Sequence, residues 1–190
     1  MRELEIAAKG EHYHRREKIR KKLLIVISLA IIGILVFTIL TKNIFFLFIF
    51  LTLLSTVINY QTNLMTIRLS TAPEVFSSLL ITRVIGLNAA IIMLFIPTLF
   101  VEIYTGRLDK DTLIFLVLTG VINIIMSFVP GVGFVVMGML LITLRFVSGL
   151  LINMALGISP QEILFEHILG YVSNVIMFLA FGSFLIGVFS

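Results

Sequence analysis

The feature that most constrains this chain is a run of 18 residues without a charge at 23–40 (LLIVISLAIIGILVFTIL), followed by further apolar runs to position 188. A helix that crosses a bilayer needs roughly 20 mostly apolar residues, so one such run is an anchor and several make a multi-pass protein. Hydrophobic residues are 59% of the chain and charged ones 13%. A soluble domain has about 45–50% and about 25%, which excludes a water-soluble globule.

A basic stretch before an apolar run also opens a signal peptide. Here the run exceeds the usual length of about 7–15 residues and lacks a small-x-small cleavage site, so it reads as a retained first span. Five more spans are expected at 44–58 (continuing towards Tyr60), 76–101, 112–129, 134–156 and 168–188. Thr71-Ala72-Pro73-Glu74 fits a capping box with Thr71 as N-cap. Ser159-Pro160-Gln161-Glu162 repeats it with Pro160 at the first helical position. The third and sixth helices are therefore expected to begin ahead of their apolar runs. Pro97 removes a backbone donor and is expected to kink the third helix, and Pro130-Gly131-Val132-Gly133 starts a tight reversal. The expected fold is an all-α integral membrane protein: a basic head, 1–22, and a compact bundle of about six transmembrane helices, 23–190, with no linker that would separate domains.

Lysine and arginine orient the chain, because cytoplasmic segments carry the excess. With the head inside, inner segments hold eight from the head plus Arg68 and Arg83, and outer loops hold Lys42, Arg107 and Lys110. Ten against three predicts both termini in the cytoplasm and a multi-pass protein of the cell (cytoplasmic) membrane with its N-terminus inside. The head would lie against anionic inner-leaflet lipid, at about 1 kcal/mol per basic residue near the surface. This accounts for the net charge of +4, and no nucleic-acid partner is expected.

Polar and small residues recur at helical spacing: Thr52, Thr56, Asn59 and Asn63 in the second helix, Gly120, Asn123 and Ser127 in the fourth, Gly170, Asn174 and Met177 in the sixth. The fifth carries Gly138, Ile142, Arg145, Gly149 and Asn153. Each set keeps to one face. Such stripes belong against protein, where small residues admit close approach and amides bond across helices. They either glue the bundle or line a polar cavity. Arg145 is twelfth of the 23 residues at 134–156, near the midplane, where a charge costs at least about 2.5–3.5 kcal/mol. It pairs with a carboxylate entering the bundle (Glu74, Glu102 or Glu166), or it awaits an anionic group on a ligand or partner subunit. Arg83, near the inner boundary, can snorkel.

No catalytic constellation is present. The chain has no His-Glu-x-x-His, nucleophile elbow or phosphate loop, and no Cys, which removes thiolate chemistry and disulfides. Glu162, Glu166 and His167 read as a solvated helix start rather than a metal site, and Asp109 and Asp111 as caps for the fourth helix. The chain is not expected to be an enzyme, nor to carry a cofactor or metal.

Three segments carry a likeness to a known group: 73–86 (PEVFSSLLITRVIG), 104–109 (YTGRLD) and, more weakly, 166–174 (EHILGYVSN). With the six-span outline they resemble the substrate-binding S components of energy-coupling-factor transporters and the related rod-shape-determining membrane subunits. The first helix departs from the Ala-x-x-x-Ala docking pattern common in S components, having Ala30 and Gly33. The resemblance implies a solute-binding transporter subunit with its ligand entering from the outer side, under 102–111 and 157–167, against Arg145, Asn153 and Asn174. Asn123 and Asn59 complete the candidate set from the stripes. The implied partners are membrane lipid, other membrane subunits, among them separate ATPase and coupling proteins, and a small polar or anionic ligand. The alternative is a non-enzymatic structural or assembly subunit of a multi-protein membrane complex.

Overall fold

A computed structural model describes residues 26, 29–64, 72–157 and 160–189, and for 160–166 the backbone alone. The head, Arg68, Thr71 and Ser159 lie outside the described residues. Every regular element among them is helical: α1 Leu29–Thr41, α2 Ile44–Asn63, α3 Pro73–Val84, α4 Leu87–Phe95, α5 Val101–Thr105, α6 Lys110–Phe128, α7 Phe134–Ala155, α8 Pro160–Met177 and α9 Ser183–Phe189. One-turn π-helical segments, Ile96–Phe100 and Phe178–Gly182, join α4 to α5 and α8 to α9. Five continuous stretches are long and apolar enough to cross a membrane: Ile44–Asn63, Leu87–Thr105, Lys110–Phe128, Phe134–Ala155 and His167–Phe189. The protein is therefore a multi-pass helical one. The second span is longer than its apolar core at 44–58 suggests, and it runs unbroken through Asn59.

The third expected span, 76–101, is two elements. It breaks at Gly86, whose φ of 128° is open to glycine and strained for other residues. Pro97 disturbs the following helix as expected, since its missing N–H falls within the π-helical turn. The cap of α3 also differs from the expected box. Ala72 holds the N-cap position in the left-handed region (φ 44°) without a side-chain bond, so Glu74 is second in the helix rather than third. The cap comes instead from α8. Asn174 Oδ1 accepts from Phe76 N at 2.9 Å, and Nδ2 donates to Ala72 O at 3.1 Å. At the other helix starts, Asp109 caps α6 by accepting from Thr112 N at 3.0 Å, and Pro160 opens α8.

Helix directions follow from side-chain contacts. α1 and α2 reverse at Lys42 and pack Phe37 on Phe46. The upper part of α2 meets the upper part of the Leu87–Thr105 span, Asn59 reaching Pro97 O and Tyr60 lying beside Tyr104, so these two run parallel. α3 runs downward between them. α6 descends, α7 ascends and α8–α9 descends, with Arg145 level with Thr119 and Thr143 level with Tyr171. Turns 106–109 and 156–157 mark the upper end, and turns 42–43, 85–86 and 129–133 the lower end.

α3 contributes half a crossing. Ala72 is tied to Asn174, midway between Pro160 and Phe189, and Arg83 at the other end donates to the carbonyls of Val129, Pro130 and Val132 in the lower turn. Arg83 thus binds the α6–α7 turn at the lower end. All residues from Pro73 to Thr82 are buried, so α3 sits inside a ring of longer helices. Among the described residues, α3 thus adds a short buried helix to the five long apolar stretches and the shorter apolar helix α1. The apolar core, including Leu47, Leu51, Val75, Leu79, Leu80, Met126, Ile142 and Phe178, surrounds the lower part of α3.

Candidate functional site

Above the start of α3 the interior turns polar. Glu74, in its first turn, is 4% exposed. The Asn59 amide from α2 and Glu74's own backbone N–H hydrogen-bond to its carboxyl. Its Oε2 has no hydrogen-bond partner. Glu102 of α5 and Arg145 of α7 both act on it electrostatically. The hydroxyl of Thr98, buried on the π-helical turn next to Pro97, is also without a partner.

Arg145 faces this region from mid-α7. Its Nε donates to Thr119 Oγ1 at 2.9 Å, and its guanidinium carbon stands 4.3 Å from the centroid of the Phe115 ring. Among the described residues these are its direct contacts, and no carboxylate lies within ion-pair distance; the Glu166 side chain is outside the description. A bare guanidinium at this depth is costly. One neutral hydroxyl and an aromatic face, worth about 2 kcal/mol when desolvated, offset only part of that cost. Higher on α7, Asn153 is buried and shares a 2.8 Å hydrogen bond with His167 Nε2, while its Oδ1 has no partner. His167 in turn feels the charges of Arg145 and Asp111.

The five expected ligand residues therefore separate. Arg145 and Asn153 lie in the polar upper half and keep charge or bonding capacity to offer, whereas the Asn59 amide is engaged by Pro97 O and Glu74. Asn123 and Asn174 do not reach that region with free groups. Asn123 spends both amide hydrogens on Ser78 Oγ (3.0 Å) and Thr119 O (2.7 Å) and accepts from Thr82 Oγ1 (2.6 Å), which fastens α6 to α3. Asn174 caps α3 and also donates to Gly170 O at 2.8 Å. Glu74, which acts electrostatically on Arg145, is absent from the sequence-derived set. The signal for Glu74 is its candidacy as a carboxylate partner for Arg145.

The arrangement leaves the Arg145 guanidinium without an ion pair among the described residues, with the Glu74 carboxyl acting on it electrostatically. It contains no nucleophile–base pair, and no group of three or more His, Cys, Asp or Glu able to hold a metal occurs among the described residues. Comparison with known proteins finds no matching family model, no matching curated protein and no matching solved structure.

Proposed function

We propose that this chain is the solute-binding membrane subunit of a transport assembly, taking a small solute that carries an anionic group. The observation that carries the reading is Arg145: a guanidinium at mid-membrane depth, oriented by Thr119 and Phe115, with no ion pair among the described residues. A carboxylate or phosphate seated there would make the charge-assisted pair that the protein withholds. Asn153, whose Oδ1 has no partner, would bond the rest of the solute. Energy input would come from separate proteins, as the resemblance to S components implies.

In this reading the site faces the cytoplasm rather than the outside. We place the basic head, which precedes the upward-pointing start of α1, on the same side as Arg107 and Lys110, making ten basic residues with the head's eight. The lower end has Lys42 and Arg83. That asymmetry supports a cytoplasmic upper face and N-terminus, with the C-terminal end of α9 outside. The chain thereby departs from the S-component outline in its half helix and in its side of access.

Two measurements test this. Thermal stability against a panel of vitamins and organic anions should rise with at least one anion in wild type and with none in Arg145→Met. The unliganded variant should melt no lower than wild type, because a hydrophobe replaces a charge that lacks a partner. A fall equivalent to about 3–5 kcal/mol, the cost of breaking a buried pair, would assign Arg145 to structure. Copurification with other membrane subunits and no stabilising compound would favour an assembly role. The chain has no native Cys, so single cysteines label cleanly. An impermeant maleimide should reach Val132→Cys in intact cells and Leu108→Cys only in inverted vesicles. The reverse pattern would place the site outside.

A further inference from the structure

We propose that the Glu74 carboxyl is a proton-binding site inside the membrane whose charge is tied to Arg145, so that an anion arriving on Arg145 draws a proton onto Glu74. The second half of this rests on the solute-binding reading; the first half does not.

The geometry points to a proton because the carboxyl is only half provided for. Asn59 and the first-turn backbone satisfy part of it, while Oε2 lies buried without a hydrogen-bond donor. A carboxylate at that depth carries the same cost as any intramembrane charge, and ionisable residues so placed are the usual elements of proton relays. A proton on Oε2 removes the charge.

The groups around Glu74 set the sign of the coupling. From α5, Glu102 repels its negative form; from α7, Arg145 attracts it. α2 brings Asn59 and Tyr60, of which Tyr60 lies beside Tyr104. α6 brings Asp111, which acts on His167 of α8, and His167 also feels Arg145. α4 and α9 bring no charged residue. Arg145 is therefore a cation whose charge attracts the carboxylate form of Glu74. A bound anion cancels that attraction, and Glu74 takes up a proton from the water on the upper side. By linkage, anion affinity then rises as pH falls, since the occupied state binds more protons.

The test uses full-length protein in lipid vesicles and needs no solute. Infrared difference spectra recorded from acid to alkaline solution should contain the carbonyl band of a protonated carboxylic acid that disappears as pH rises. Glu74→Gln should abolish the band and Glu102→Gln should retain it. Arg145→Gln, which leaves Glu74 in place and mimics an occupied site, should keep the band into more alkaline solution than wild type. Circular dichroism checks the fold of each variant, and if Glu74→Gln does not fold, the Arg145→Gln shift decides alone. A spectrum without such a band, a band that survives Glu74→Gln, or one that titrates identically in Arg145→Gln overturns the proposal. A protein that shows the band and its shift but binds no anion loses only the transport reading.

Discussion

Replacing Gly138 by alanine is expected to destabilise the bundle by about 3 kcal/mol, the upper end of what overpacking a filled core costs. A β-carbon built on Gly138 lies 2.0 Å from Cε1 of Phe178. That ring is fully buried and has no direction in which to retreat, because Phe76 stands edge-on at 4.9 Å and Phe134 at 5.2 Å. Either α7 moves away from α8–α9 or the aromatic cluster reorganises. Melting in detergent gives the size of the effect, and the double variant Gly138→Ala/Phe178→Leu gives its cause. Removing the ring should return much of the lost stability, a non-additivity expected only of residues in contact. Wild-type melting in Gly138→Ala would mean that the ring does not sit over that glycine.

The second large effect is expected at Asn174. Leucine there leaves Phe76 N–H without a partner in the interior and strips one donor from Ala72 O, which still accepts from Val75 N. An orphaned buried donor costs about 1–3 kcal/mol, and Ala72, already at φ 44°, loses what holds it there. A total of roughly 3 kcal/mol follows. Hydrogen exchange locates the damage. The Phe76 amide should lose its protection in Asn174→Leu while amides in the middle of α6 keep theirs. Uniform loss along all helices would show that the cap is not local to α3.

Much of this architecture was legible in the sequence, for reasons that also explain the misses. α6 and α7 occur within two residues of their expected bounds because each is one clean apolar run with a cap or a Gly-rich turn at its border. The stripes of Gly138, Gly149 and Asn153, and of Gly170 and Asn174, do face inward, since helical spacing alone fixes which side chains share a face. α3 was hidden. A helix buried on all sides has no lipid-facing stripe, and its Ser77, Ser78 and Thr82 merge with Leu79–Ile81 into the apolar run that continues to α5. Missing that break hid α3 as an element separate from the Leu87–Thr105 stretch. Nor does spacing separate a saturated amide such as Asn123 from an unsaturated one such as Asn153, because the partners come from elements 41 or more residues away for one and from a single histidine for the other.

The burial of α3 also dictates an order of biogenesis. Twelve residues with Glu74 at one end and Arg83 at the other are too short and too polar to leave a translocon for lipid as an independent unit. Their hydrogen-bond partners on α6 and α8 follow by 41 to 102 residues. The third passage is therefore completed only after the later helices have been released, when α3 is drawn into a ring already waiting for it. Ribosomes stalled before α8 should hold a nascent chain whose 73–84 segment is still open to protease.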